Sequence, residues 1–451
     1  MPGAPGPLLV AAQFLGRSKA NPDYPPVTER RHRVSALLVA LLLMLGTYLR
    51  VAHAELAEFK FDEATVALMA LDLGAGRFPL VGLDTSVPGL ANGPLFIYLI
   101  VIPIAVTRDA AVASAFVGLL NVGALFVTYR VTDRVFGRLA ALVALACYAV
   151  GSWAVLFSRK LWSNEAMPLF SALLALALLD AVVVGRRRGV VLAGCWLGAL
   201  VNLHPSGLIF LPVAVGALLL RPRLLCSGAT VGATMAILGI SIPWLVHETR
   251  AGFPGVRALI RVGGGSASVD LAPFQYALTL VGSQAWDILA GDDQTEFRAL
   301  TLPTVGLDVV AGTWLILGVA GAMLWLVTST RARWLPAATV YDPGMGQQRS
   351  PRAGDWRGVA VLLLWLLVPL VVSSRRALPF EIHYLIPLLP ATFAFVGLGA
   401  CMPVVVLTRL TLPRRFVHGV AALLAIVLAW SAVVQIQRFE VFYRAVVASG
   451  A

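Results

Sequence analysis

Charged residues are scarce in this chain and almost missing from its long apolar runs. Asp, Glu, Lys and Arg make up 13% of the 451 residues, whereas 59% are hydrophobic. Soluble domains are roughly a quarter charged, so the composition excludes a soluble globular protein. Asp180 and Asp308, the acidic residues inside apolar runs, lie near the ends of those runs. Pumps and ion-coupled transporters carry charges within their spans, and no internal repeat of the kind that builds many transporters is evident. Both absences argue against transport.

Cysteine is equally sparse. Cys147, Cys195, Cys226 and Cys401 lie singly in or beside apolar runs. No pair has the spacing of metal ligands, and no disulfide framework is implied. A cleavable signal peptide is missing too. Residues 1–33 are polar, Pro-rich and basic, and the run that follows has no small-residue cleavage site. The first helix is therefore expected to stay as an anchor.

What the chain has in abundance is apolar length, in runs near the roughly 20 residues that cross a bilayer core. An all-α polytopic membrane protein is expected, with eleven spans at about 34–52, 110–129, 139–157, 167–184, 190–203, 206–220, 225–246, 305–328, 358–373, 383–400 and 417–436. Segment 95–106 is short for a span and is expected to dip in from the outer side without crossing. Arg130, Arg134 and Arg138, Arg186 to Arg188, Arg221 and Arg223, the arginines of loop 330–357, and Arg409, Arg414 and Arg415 then all face the cytoplasm, as basic loops should. That topology accounts for the net charge of +12 without any nucleic-acid partner. It puts the N-terminal tail, 1–33, in the cytoplasm of a cell whose inner or plasma membrane holds the domain 34–436. The C-terminal tail, 437–451, lies outside.

Two outer loops stand out. Loop 247–303 contains Gly263, Gly264, Gly265 and Ser266, a flexible stretch by composition, and an amphipathic helix over 274–288 that would lie on the membrane or cover a site. Loop 330–357, on the inner side, is rich in Pro, Gly, Gln and Arg and is expected to be disordered. Loop 53–109 is acidic and organises the rest. Asp62 and Glu63 open a helix in it whose apolar positions, Val66, Met69, Ala70 and Leu73, recur at helical spacing, and Gly74 and Gly76 stop that helix. Acids at a helix start also compensate the helix dipole, so the pair alone proves little; its place on an outer loop between apolar runs is what points to chemistry.

Basic residues that break the inside rule are informative. Arg159-Lys160 and Arg375-Arg376 fall at the outer ends of spans. Either they snorkel to lipid headgroups, or they bind an anionic phosphate, for which Arg is geometrically suited. His383-Tyr384 follows the second cluster, and His204 also faces outward. If the substrate is a sugar on a lipid phosphate, the phosphate leaves without a general acid. Glycoside hydrolysis, by contrast, uses two flanking carboxylates. One base for the acceptor hydroxyl and cations for the phosphate would then suffice.

The ordered set of these motifs resembles the membrane-embedded GT-C glycosyltransferases, and within them the protein O-mannosyltransferase and aminoarabinose transferase group. The set consists of a first span, Asp-Glu opening a helix, Gly93-Pro94-Leu95 with Tyr98-Leu99, and Phe157-Ser158-Arg159 through Asn164. Asn202-Leu203-His204-Pro205 and His383-Tyr384-Leu385-Ile386-Pro387 with Pro390 complete it. The resemblance covers about 34–400. It implies a GT-C-like bundle with juxtamembrane helices, and an inverting transferase that takes a hexose or pentose from a polyprenyl-phosphate donor on the extracytoplasmic face. It implies Asp62 as base and Glu63 as a supporting acid. Arg159, Lys160, Asn164, His204, Arg375, Arg376, His383 and Tyr384 become candidates for substrate and phosphate contacts. Asn92-Gly93-Pro94 departs from the His-Pro-Pro or Lys-Pro-Pro of the family, which leaves the acceptor contacts open between glycan, lipid and protein. No metal site or other cofactor is assigned, and a divalent metal is left open. The competing expectations are a lipid or polysaccharide transporter and a non-catalytic assembly partner.

Overall fold

The computed structural model describes residues 25–265, 268–331, 355–376, 380–410 and 413–449. Helix α1 is Pro25–Val51, α2 Phe61–Gly74, α3 Leu95–Thr107, α4 Ala110–Phe136, α5 Arg138–Val150, α6 Ser152–Phe157, α7 Ser163–Leu179 and α8 Arg187–Leu203. Next come α9 (Leu211–Leu219), α10 (Gly228–Ala251), α11 (Pro254–Gly264), α12 (Ala272–Leu280), α13 (Ala285–Leu289) and α14 (Gln294–Leu300). Helices α15 (Leu307–Arg331), α16 (Trp356–Ser374), α17 (Leu389–Arg409) and α18 (Arg414–Ser449) close the chain. One antiparallel pairing of two residues each, β1 (Ser268–Val269) with β2 (Arg375–Arg376), is the only strand pairing among the described elements.

Among the described residues, eight helical stretches are long and apolar enough to cross a membrane, rather than eleven. The expected span over 139–157 is broken at Gly151 into α5 and α6, where the Phe393 ring lies 2.8 Å from the position a Cβ would take. The expected spans over 190–203 and 206–220 form shorter pieces: α8, of 17 residues, and the 3₁₀ turn Pro205–Phe210 running into α9. At the C-terminus the difference has the opposite sign. No tail begins at 437, because α18 continues to Ser449 as one helix of 36 residues. At 1.5 Å per residue it is about 54 Å long, well beyond a hydrocarbon core of about 30 Å. Most of loop 330–357, and residues 1–24, lie outside the described residues.

Helix α3 has 13 residues, about 20 Å at the helical rise, too short to span. It turns back into α4 at Arg108, whose φ of 54° is left-handed, and at Asp109, whose carboxylate caps α4 through Ala111 N at 2.8 Å. The basic loops gather at one end of the bundle. Arg134 pairs with Asp180 at 2.7 Å, Arg186 and Arg188 lie within 4.0 Å of the same carboxylate, and Arg221 donates to Val182 O at 3.2 Å. Asp180 thus joins two loops that charge alone assigned to one side, and the Val182 carbonyl beside it holds Arg221 of a third.

Between spans the backbones approach closely, as small residues permit in lipid. A Cβ on Gly318 of α15 would collide with Phe395 O of α17, and one on Gly399 with Trp314 O. Several polar side chains inside the bundle find partners within the protein, since lipid offers none. Trp365 Nε1 donates to Ser171 Oγ at 2.8 Å, and Arg50, 1% exposed, donates to Ala149 O at 2.9 Å and Tyr148 O at 3.0 Å. Those two carbonyls end α5, so the guanidinium closes a helix terminus that has no further turn.

A second side chain of this kind sets the end opposite the basic loops. Asn202, in the last turn of α8, accepts from Leu95 N at 3.0 Å and donates to Ile240 O at 3.2 Å. It thereby ties the start of α3 to α10. Gly93 leaves the room this requires: a Cβ there would collide with the Asn202 amide. Gly93→Ala should therefore destabilise the folded protein by about 1–3 kcal/mol, the scale of a broken buried hydrogen bond. Adding Asn202→Gly should recover part of that loss, measured as thermal unfolding in detergent. If Gly93→Ala melts with the wild type, the clamp carries no weight.

Candidate functional site

The site is built on the short helix α2. Lys60 is its extended N-cap, and Glu63 at the third helical position accepts from Lys60 N at 2.9 Å. Val66 and Ala70 are buried, with Met69 and Leu73 packed beside them, so the spacing seen in the sequence is the buried face. Glu63 is buried and occupied in capping, whereas Asp62 is exposed to a cavity of about 840 Å³ and makes no hydrogen bond to the described residues. Adjacent helical positions diverge by about 100°, which is how one acid of the pair closes the helix and the other opens onto space.

Five other segments wall the cavity. Residues 82–92 form a small hairpin, with an antiparallel bridge between Asp84 and Ala91 and bonds from Gly82 N to Asn92 O and from Asn92 N to Leu83 O, both 2.8 Å. It contributes Asp84, Ser86 and Asn92. Trp162, Ser163 and Asn164 come from the entry to α7; His204 follows α8; and Glu381, His383 and Tyr384 precede α17. Leu259 and Val262 of α11 close one side. The cover over the site is thus α11, not the helix expected over 274–288. That stretch divides into α12 and α13 and is largely packed inward through Ala277, Leu280 and Trp286. Gly263 and Gly264 lie within α11.

The rings form a continuous surface. Trp162 meets His383 edge-on at 5.4 Å, His383 lies 4.3 Å from Tyr384, and Tyr384 lies 5.8 Å from His204. His204 Nδ1 accepts from Ser206 N at 3.1 Å, so the proton of the neutral ring sits on Nε2. Burial, with the His383 ring adding to it, pushes His204 down to about 4.

Of the sequence candidates, the fold brings Asp62, Asn164, His204, His383 and Tyr384 together around the cavity. Arg159 is not there. It is 2% exposed and donates to Leu49 O at 3.0 Å, His53 O at 2.7 Å and Tyr443 Oη at 2.9 Å. It serves as a clasp between α1 and α18, away from the cavity onto which Asp62 opens. Lys160 pairs with Glu58, and its ammonium lies 5.7 Å from the Trp162 ring centre. Burial pushes the Glu58 carboxyl upward, but hydrogen bonds from Lys160 and Lys60 outweigh it and hold the group below its usual range. Arg375 is exposed in β2 and does not line the cavity; the Arg376 side chain lies outside the described residues. Sequence reasoning missed Trp162, Asp84 and Glu381, single residues in loops with no spacing to mark them. Among the described residues no three of His, Cys, Asp and Glu assemble as metal ligands.

The fold is that of GT-C membrane glycosyltransferases. ArnT from Cupriavidus metallidurans bound to undecaprenyl phosphate aligns with a TM-score of 0.55 and 15% identity over 90% of this chain and 75% of its own. The Archaeoglobus fulgidus oligosaccharyltransferase in complex with Zn and sulfate aligns at 0.54 and 14% identity, over 89% of this chain and 52% of its own. No protein-family model and no curated protein matches this sequence.

The buried, neutral His204 makes a pH prediction. A histidine in the unfolded chain titrates near 6.5, so between that value and about 4 the unfolded state binds a proton that the folded state does not. Stability associated with this ring is fully present above pH 6.5 and declines as pH falls toward 4. The melting temperature of the wild type should fall more steeply over that window than that of His204→Gln. Parallel curves would contradict the assignment.

Proposed function

We propose that this protein is an integral-membrane inverting glycosyltransferase that moves a sugar from a polyprenyl-phosphate donor to an acceptor on the extracytoplasmic face. One observation carries this: in a GT-C fold, Asp62 is the carboxylate at the start of α2 that opens onto the cavity and makes no hydrogen bond to the described residues. ArnT, a similar structure, binds undecaprenyl phosphate, which supports a lipid-phosphate donor here.

In this reading the acceptor hydroxyl enters the cavity beside Asp62, which takes its proton as the oxygen attacks the anomeric carbon. The bond to the lipid phosphate breaks on the opposite face, so configuration inverts in a single displacement. The phosphate leaves as a stable anion and requires no proton. His204, neutral and with Nε2–H available, and Tyr384 beside it are donors for sugar or phosphate oxygens. His383 completes that wall, and Glu63 holds α2, and so Asp62, in place. Lys160 and Arg375 are cations at the same end, and the apolar flanks of the bundle hold the lipid chain.

A general base contributes on the order of 10²–10⁴ in rate. Asp62→Asn should fold and bind donor normally while transfer falls by about that factor, measured with purified protein and a panel of polyprenyl-phosphate sugars. Transfer at the wild-type rate would overturn the assignment. Glu63→Gln should act chiefly on stability, because the acid caps α2.

A further inference from the structure

Among the side chains that line the cavity, the fully buried polar atoms without a partner in the described residues are two amide oxygens, and His204 and Tyr384 are donors on one wall only. Asn92 and Asn164 both line it, are 6% and 5% exposed, and each has an amide oxygen with no donor. The Asn92 nitrogen is turned to Ser163 Oγ at 3.4 Å, which leaves its oxygen unmet. Asp62, Asp84 and Glu381 add three carboxylates, which accept and do not donate when ionised. No Lys or Arg is among the described lining residues. Two cations from the entry to α7 are committed elsewhere, Lys160 to Glu58 and Arg159 to backbone carbonyls, and Arg375 stands outside the lining.

A buried acceptor left without a donor is costly, so the group that fills this space must bring donors. A second anion would meet three like charges, a juxtaposition that suppresses wrong partners. We infer that the transferred group is a hydroxyl-rich glycosyl residue carrying no carboxylate or phosphate, its hydroxyls donating to Asn92, Asn164, Asp84 and Glu381 beside the Trp162 ring. The donor phosphate then sits at the edge of the cavity rather than within it. This rests on the glycosyltransferase reading and narrows its substrate class. Asp84 and Glu381 set specificity and take no part in proton transfer.

The test uses the full-length protein in nanodiscs and competition binding of polyprenyl phosphates. The probes are the bare lipid phosphate and matched neutral and uronate sugars in the gluco, galacto and manno series. The bare lipid should bind, and the neutral sugar that binds best should exceed its uronate by about tenfold or more. Asp84→Asn with Glu381→Gln should shrink that ratio by about threefold or more. A uronate that binds as tightly as its neutral partner overturns the inference and leaves the glycosyltransferase reading standing. A ratio unmoved by the double variant overturns the role given to these carboxylates. Failure of the bare lipid phosphate and of every glycosylated form to bind overturns both.

Discussion

The side chain of Asn202 holds the cavity end of this molecule in register. Its oxygen accepts from Leu95 N at 3.0 Å and its nitrogen donates to Ile240 O at 3.2 Å, so three helices that share no loop meet at one amide. Gly93 exists beside it because a larger residue would occupy the same space. The hairpin over 82–92 hangs from this point, and it supplies one wall of the cavity. Two residues further along, His204 supplies part of another. A break in the apolar chain, Asn202-Leu203-His204-Pro205, thus has a structural half and a cavity-facing half.

Arg50 and Arg159 follow the same logic. In a lipid environment every backbone polar group at a helix end needs a partner from within the protein. Arg50 closes the end of α5, and Arg159 gathers the last turn of α1 and its exit loop together with Tyr443 of the overlong α18. Sequence position alone made Arg159 look like a ligand for phosphate. Burial converts it into a fastening, and the difference turns on which carbonyls surround it, which periodicity does not encode.

That contrast marks what was legible in the chain. Long apolar runs and the distribution of Arg gave the membrane-bundle class, and the single acid Asp180 links two of the basic loops at one end. Asp62 was legible because two adjacent acids began an amphipathic helix in an outer loop. Helix breaks were not: Gly151 interrupts a run of unbroken apolar character because Phe393, more than 200 positions away in sequence, packs against it. Trp162, Asp84 and Glu381 were hidden for a related reason. They reach the cavity through tertiary folding of loops, and a lone residue in a loop carries no pattern.

The account stands or falls on the cavity beside Asp62 being where the sugar of a lipid-linked donor sits. The direct measurement is an experimental structure of Asp62→Asn, a variant meant to bind without turning over, with a polyprenyl-phosphate sugar that the wild type uses. The account predicts density for the sugar between residue 62, Trp162 and Tyr384, with the anomeric carbon facing residue 62 and the phosphate at the edge of the cavity. Sugar density on another face of the bundle, or a phosphate buried among Asp84, Asn164 and Glu381, would contradict it.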